Sequence, residues 1–407
     1  ELESLQQQLN DEFIRFIESE EVQEAVDQLE DRIGDEAIRL TALKNIGNKL
    51  KRLDHPAVVL YPLILSDRLE LILATPESRP IHRSVAVTRM DLRAKVLEFR
   101  QALLDPAVDP VEPARQLYDW IVAPLEQDLA DLRTEAILYA PDDALRYVPL
   151  AAFHDGNDWL VQRFRINNWT SSSAMDLGSA MDSNLRIVGG AYTVGNFIFQ
   201  IADQSFHFAG LPFAGKEMET LSALFGNTVS FPGTQFVFDD IYRRRANFSV
   251  LHLATHAASV IGQPSDSFIL FGDGERKSVQ QIKSLDFDLD LAVLSACETA
   301  VGDTLSNGVE VLGLGYAMQQ SGARSTIASL WSVSDGGTHA LMSELYRQLK
   351  DGKSRAEALQ KAQQLLIRND ADAIASANRG LALPGPVASR LSHPYYWAPF
   401  IIVGSGL

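Results

Sequence analysis

The second half of the chain, residues 181 to 407, alternates short apolar runs with longer amphipathic stretches. The apolar runs have the length and β-branched content of buried strands. They read LRIVGGAY, NTVSF, FSVLHLAT, FILFG, DLAVLSA, STIASLW and FIIVG. Segments of helical periodicity separate most of them, among them GKEMETLSALFG and GVEVLGLGYAMQQSG. Strands that alternate with helices predict an α/β fold, in which a parallel-rich sheet carries helices on both faces.

Residues 56 to 180 show a different order of elements. Three apolar runs, AVVLYPLIL, RLELILAT and RSVAVTR, predict a strand meander, and two amphipathic stretches after them predict helices. The runs EAILYAP, RYVPL and WLVQRFRINNW then predict three further strands. The segment SSSAMDLGSAMDSN is poor in bulky residues and predicts a domain boundary near residue 180.

Residues 1 to 55 form a third, acidic region with the apolar spacing of two helices. A charge run of this kind is more typical of a solvated helix face than of a binding site. The predicted organisation is therefore an N-terminal helical segment at 1–55, an α/β unit at 56–180 and a second α/β domain at 181–407. Because the chain begins with Glu1 rather than Met, we expect it to be a piece of a longer protein.

Candidate chemistry lies at the ends of two predicted strands. Cys297, the one cysteine of the chain, follows the run DLAVLSA, and His256 follows FSVLHLAT, 297 − 256 = 41 residues earlier. The carboxyl ends of strands in an open α/β sheet line the crevice where such sheets bind ligands. A thiol and an imidazole there suit a nucleophile and its base. A lone thiol at a strand end is, on spacing alone, more often a small buried apolar group.

Several sequence blocks resemble the CHAT peptidase family, a branch of the caspase-like clan that also holds caspases and separases. HLATHA and VLSACETA, around His256 and Cys297, are similar to its two signature blocks. Further blocks follow in the family's order: YAPDDALRYVPLAAFHDG, LPFAGKEMETLSALFG, GVEVLGLGYAM, SGARSTIASLWSVSD, GKSRAEALQKAQ and HPYYWAPFIIVGSG. The resemblance covers residues 135 to 407. It implies a caspase-like fold and a cysteine endopeptidase with a His256–Cys297 dyad, and residues 56 to 180 resemble the non-catalytic pseudo-peptidase unit of related clan members.

The resemblance also assigns roles around the dyad. In the clan the oxyanion is bound by the backbone N–H groups of the cysteine and of the residue after the histidine, which are Cys297 and Ala257 in this chain. Glycine usually stands where Ala257 is, and alanine restricts the turn there. Clan members that cut after basic residues often carry Asp two positions before the cysteine, where this chain has Ser295, so we include Ser295 among the candidate substrate-binding residues.

The expected specificity residue is Asp335. It follows STIASLW and SVS, where caspase-like enzymes line their primary specificity pocket, and its carboxylate suits an Arg or Lys side chain of the substrate. The alternative is an N-cap of the following helix. We also predict that loops at 272–278 and 376–390 gate the site, because they are rich in Gly, Pro or charge.

Composition and charge limit the classes of partner that the chain is expected to bind. A formal charge of −17 and a pI near 4.9 argue against nucleic acid, and no apolar run is long enough for a membrane span. A single cysteine excludes an internal disulfide. The Gly313/Gly315 pair is too weak a motif to predict a nucleotide cofactor, and the His252/His256 pair is too weak to predict a metal site. We expect a cytoplasmic enzyme with no cofactor, a protein substrate and a regulatory protein bound to the N-terminal helical region. The alternative is a catalytically silent binding or signalling module of the same fold.

Overall fold

Strands of both predicted α/β regions form one central sheet. The computed structural model describes residues 43–76, 80–169, 184–201, 204–260, 267–295, 298–300, 309–333, 335–369 and 390–407. The strands within these ranges are β1 Ala57–Ile64, β2 Leu69–Ala74, β3 Ile81–Val85, β4 Ala136–Tyr139, β5 Arg165–Asn168, β6 Ile187–Ala191, β7 Asn196–Ile201, β8 Gln204–Ala209, β9 Thr228–Pro232, β10 Val250–Ala254, β11 Ala257–Val260, β12 Phe268–Leu270, β13 Arg276–Ser278, β14 Leu291–Leu294, β15 Glu298–Ala300, β16 Ser325–Ser329 and β17 Phe400–Gly404.

The order of the central sheet is β3-β2-β1-β4-β5-β17-β16-β14-β10-β6-β9. Antiparallel pairs occur within the meander β1-β2-β3 and between β16 and β17, and the other neighbours run parallel. A second sheet, β13-β12-β11-β15, and the hairpin β7-β8 complete the described strands. The predicted parallel-rich α/β architecture is therefore confirmed.

Helices cover both faces of the sheet. They are α1 Leu43–Leu50, α2 Arg89–Leu104, α3 Val111–Ile121, α4 Glu126–Asp131, α5 Leu160–Arg163, α6 Pro212–Leu224, α7 Phe238–Tyr242, α8 Val279–Lys283, α9 Val309–Gln320, α10 Asp335–Lys350, α11 Arg355–Arg368 and α12 Pro394–Trp397. In β10 the side chains alternate between faces, so Val250 and Ala254 join the core beneath α6, α10 and α11. Leu251 and Leu253 join the opposite core, with α8 and α9.

Some predicted elements were wrong. RYVPL is not a strand: two short 3-10 helices, Asp143–Tyr147 and Leu150–Ala152, occupy this region around Pro149. Its apolar side chains are buried in the core, so burial rather than strand structure explains their pattern. The run WLVQRFRINNW forms α5 before β5 begins. The hairpin β7-β8 was missed.

The predicted gating loop at 272–278 is a tight hairpin connection. Phe271 N–H donates to the carbonyl of Glu275 at 2.8 Å, Gly274 has φ of +89°, and Arg276–Ser278 is strand β13. The second predicted loop, at 376–390, lies outside the described residues except for Arg390.

The two predicted α/β units share their sheet and their main core. β5 pairs with β17, where Asn168 lies opposite Val403, and the side chain of Gln360 on α11 donates to the carbonyl of Val161 at 2.9 Å. The boundary near residue 180 stays a prediction.

Of the N-terminal segment, α1 is described, and Ile46 and Leu50 on it are buried. Among the described residues we find no helix with the length and apolar character needed to cross a membrane.

Candidate active site

Strands β10 and β14 are parallel neighbours whose carboxyl ends lie side by side. Leu253 pairs with Leu294, and the N–H of Ser295 extends the ladder by donating to the carbonyl of Leu253 at 2.9 Å. Beyond the ends, Ala258 of β11 pairs with Glu298 of β15. Cys297 itself lies outside the described residues. The residues before and after Cys297, Ser295 and Glu298, are thus paired with residues before and after His256, Leu253 and Ala258.

The ring of His256 is held by one hydrogen bond and two aromatic side chains. Its Nε2 lies 2.7 Å from the carbonyl oxygen of Ala209, at the end of β8. A carbonyl only accepts, so Nε2 carries the proton and Nδ1 of the neutral ring is the basic nitrogen. The rings of Tyr192 and Phe208 lie 5.2 and 5.0 Å away between centroids. Burial lowers the pKa of His256 below its ordinary value, and the bond to Ala209 partly opposes this.

The backbone around His256 is fixed as well, and this orients the next N–H group. The carbonyl of His256 accepts from the N–H of Leu270, 2.9 Å away on β12. In a trans peptide the C=O and the following N–H point in opposite directions. The N–H of Ala257 therefore points away from β12 and toward β15, which lies on the other side of β11. Strand β15 begins one residue after Cys297.

Ser295 points into the interior of the protein. Its side chain is buried, and its hydroxyl donates to Glu217 Oε2 at 2.7 Å. Asp335 is the first residue of α10, which places it in the first helical turn. Its side chain lies outside what the structure describes.

A buried polar cluster next to these strand ends was missed by the sequence reasoning. Glu217 on α6 accepts from Ser295 and from His252 Nε2 at 2.9 Å, and His252 Nδ1 lies 2.9 Å from the hydroxyl of Tyr346 on α10. The available signal was Glu217 itself, a charged residue within the apolar stripe Ala214, Met218 and Leu221. The sequence suggests no role for His252 beyond that of a weak candidate metal ligand. Its ring contacts Glu217 and Tyr346, whereas His256 contacts Ala209.

Comparison with known proteins agrees with this architecture. The family model described as CHAT domain matches residues 111–405. Two crystal structures of the Saccharomyces cerevisiae separase–securin complex match with TM-scores of 0.53 and 0.50, at 11% and 10% identity, each over 89% of this chain. The chain spans only 30% and 31% of the separase chains. The Arg-specific cysteine proteinase gingipain R matches with a TM-score of 0.44, at 9% identity, over 78% of this chain and 74% of its own.

None of the curated proteins matches this chain in sequence. The separase likeness concerns the fold, and with it the expectation of a caspase-like α/β fold is confirmed.

Proposed function

Because the chain belongs to the CHAT-domain family, we propose that it is a cysteine endopeptidase that cleaves a protein substrate with the His256–Cys297 dyad. The observation that supports this most strongly is the pairing at the strand ends. Leu253 pairs with Leu294 and Ala258 pairs with Glu298, so the chain before and after His256 is paired with the chain before and after Cys297. A 41-residue separation in sequence is thereby reduced to neighbouring strand ends.

In the proposed reaction, Nδ1 of His256 accepts the proton of the Cys297 thiol, and the thiolate sulfur attacks the carbonyl carbon of the scissile peptide. The carbonyl electrons move to oxygen, where the N–H groups of Ala257 and Cys297 stabilise the oxyanion. When the C–N bond breaks, the leaving amine takes the proton from His256. Water, deprotonated by His256, then attacks the thioester, and the acid product and the free thiol are released.

The burial of His256 suits this role. Its depressed pKa keeps the ring neutral and able to accept a proton near neutral pH. The mechanism requires no cofactor. A thiol nucleophile must also stay reduced, which supports a cytoplasmic place of action.

The proposed test uses a peptidyl chloromethyl ketone with Arg at the acyl side of the scissile position, which alkylates a thiolate irreversibly as chloride leaves. Mass spectrometry of the intact chain and of its peptides should show one label, on Cys297. Labelling should be lost in Cys297→Ala and strongly slowed in His256→Ala. The matched control is His82→Ala, a histidine on the far edge strand β3, which should label like the wild type. Absence of labelling in the wild type would favour the silent binding module.

The proposed preference for Arg or Lys rests on Asp335, at the start of α10, and on the acidic chain, which attracts basic segments. Asp335→Asn keeps the size and helix-start character of the side chain but removes its charge. We expect this variant to lose most of its preference for Arg over neutral residues in a peptide library, with the fold unchanged. Cleavage of the library mainly after acidic or large apolar residues would contradict the basic pocket and leave the dyad unaffected.

Protein partners are part of the proposal. Separase, which shares the fold, is complexed with securin in its structures. By analogy, we propose that a regulatory protein binds the N-terminal helical region and controls access to the site. Pull-down with the full chain and with a chain lacking residues 1–42 tests this, because only the full chain should retain such a partner.

A further inference from the structure

Two elements of the proposed active site are connected to one buried carboxylate. Glu217 Oε2 accepts from the Ser295 hydroxyl at 2.7 Å and from His252 Nε2 at 2.9 Å. The glutamate is 3% exposed, the serine 4% and the histidine 0%. These three polar groups therefore have each other, rather than water, as partners.

The place of this carboxylate is unusual for a helix that packs against a sheet. Glu217 lies on the buried face of α6, between Ala214, Met218 and Leu221. Burying a polar group is costly unless it is fully hydrogen-bonded, and replacing a buried ion pair by apolar residues of similar size is often neutral or stabilising. Stability alone thus gives little reason for a glutamate here, and a geometric role accounts for it better.

The geometry shows what the carboxylate holds. His252 is on β10, four residues before His256, and Ser295 directly follows β14, two residues before Cys297. The one oxygen atom thus bridges the two neighbouring strands at the end where the proposed base and nucleophile emerge. The bridge adds side-chain bonds to the ladder bond between Ser295 N–H and Leu253.

A third partner orients the bridge. Because a carboxylate oxygen accepts, Nε2 of His252 donates to Glu217, and Nδ1 lies 2.9 Å from the Tyr346 hydroxyl. Burial, and secondly the charge of Glu217, raise the pKa of Tyr346 well above its ordinary value, so this hydroxyl keeps its proton. Tyr346 lies on α10, the helix that begins at Asp335.

We propose that Glu217 is a positioning residue, which uses its bonds to Ser295 and His252 to hold the Cys297 segment at reacting distance from His256. This inference rests on the proposed peptidase function. It also assigns Ser295 a different role from substrate binding, because its hydroxyl serves the bridge.

The test compares Glu217→Leu with Glu217→Gln in the full chain. Leucine fills a similar volume but removes both bonds, whereas glutamine keeps one oxygen that accepts from Ser295 and His252. We expect Glu217→Leu to lower kcat by roughly 10- to 100-fold with little change in KM, since a misplacement of about 1 Å costs up to 10²-fold. Glu217→Gln should recover most of this loss. The alkylation rate of Cys297 by iodoacetamide at pH 7 should fall and recover in parallel, because the thiol then lies farther from its base.

The matched control is Glu344→Leu. Glu344 is also a buried glutamate, but it is bonded to Arg347 and Gln348 on its own helix and not to the strand ends. It should keep wild-type kcat and alkylation rate. An equal loss of kcat in Glu344→Leu and Glu217→Leu would overturn the proposal, since a general loss of stability would then explain both.

A second variant keeps the test decisive if Glu217→Leu does not fold. Ser295→Ala removes one arm of the bridge, and it should lower kcat severalfold at constant KM. A rise in KM alone would instead show that Ser295 binds substrate.

If the wild type is active and folded Glu217→Leu keeps wild-type kcat, the positioning role is wrong and the dyad stands. If the wild type neither labels nor cleaves, the proposed function fails first.

Discussion

Two buried glutamates, one on a strand of the central sheet and one on a helix that packs against it, illustrate different uses of the same side chain. Glu70 on β2 accepts from Arg68, Ser84 and His82, with Oε2 2.6 Å from His82 Nε2. These partners are at most 14 residues away in sequence, and the side chains of Arg68 and His82 are 29% and 31% exposed. Glu217 bonds His252 and Ser295, which are 35 and 78 residues away, and His252 is 0% exposed.

The difference lies in what each cluster connects. The Glu70 cluster joins two strands that are already adjacent in sequence, at the antiparallel edge of the sheet. The Glu217 cluster joins α6, β10, the end of β14 and α10 at two interior, parallel strands of the sheet. The local cluster therefore contributes to one hairpin, whereas the non-local cluster fixes the geometry of the proposed active site.

The largest difference between the two regions is expected in turnover, measured after a substitution in each. His256→Ala should lower kcat/KM by roughly 10²- to 10⁴-fold, the usual cost of losing a general base. Glu70→Gln should leave turnover unchanged, because the meander lies at the far edge from β10. The measurement is cleavage of an Arg-containing fluorogenic peptide by purified variants. Undiminished activity in His256→Ala would exclude the dyad.

A second prediction concerns stability and uses the two histidines. His252→Leu should lower the free energy of unfolding by about 3–5 kcal/mol, because it leaves a buried carboxylate with one partner fewer. His82→Leu should cost about 0–1 kcal/mol, since its ring is partly exposed and water replaces it. Urea unfolding followed by intrinsic Trp fluorescence measures both. Equal costs for the two substitutions would mean that the clusters do not differ as we argue.

The sequence predicted the fold well where one local signal dominates. FSVLHLAT and DLAVLSA are short, mostly apolar runs, and β10 and β14 lie within them. RYVPL failed because its apolar residues are buried without forming a ladder, and pattern alone does not separate these cases. The hairpin β7-β8, whose end provides Ala209 for His256, was missed although the apolar residues of β8 alternate with polar ones.

The sequence proposes candidate site residues, but it does not predict the buried polar contacts that lie behind them. His256 and Cys297 stand out because each follows a strand, and Ala257 followed from the family resemblance. The role of Glu217 depends on contacts across 35 and 78 residues, and a single sequence contains no signal for such pairs. Ser295 shows the same limit, since the direction of its hydroxyl depends on its bond to Glu217 of α6.

The pH dependence of activity should reflect the lowered pKa of His256. Burial lowers the pKa of His256 below the ordinary histidine value of about 6.5. The ring accepts a proton only when it is neutral, so kcat/KM should stay on its plateau down to about pH 6.5 and decline only below it. A pH profile of kcat/KM in buffers of constant ionic strength measures this. Half-maximal activity well above pH 6.5 on the acid side would contradict a buried, neutral base.

The smallest expected effect concerns His339 on α10, near the Glu217 cluster. It is fully buried, and within the described part of the chain neither of its ring nitrogens has a hydrogen-bond partner. Burial lowers its pKa, and the charges of Glu217 and Glu219 only partly oppose this. The unfolded chain thus binds this proton more readily than the folded one, so acid favours unfolding.

The folded protein should accordingly lose stability as the pH falls from 7 toward 5, through the ordinary histidine value. His339→Phe removes this proton uptake while keeping an aromatic ring beside Phe213. The difference in unfolding free energy between pH 7 and pH 5 should be smaller in the variant than in the wild type. The comparison between the two chains isolates His339, because His154, His256 and His393, which also have lowered pKa values, are common to both. Identical slopes would show that His339 gains a partner or reaches water when it is protonated.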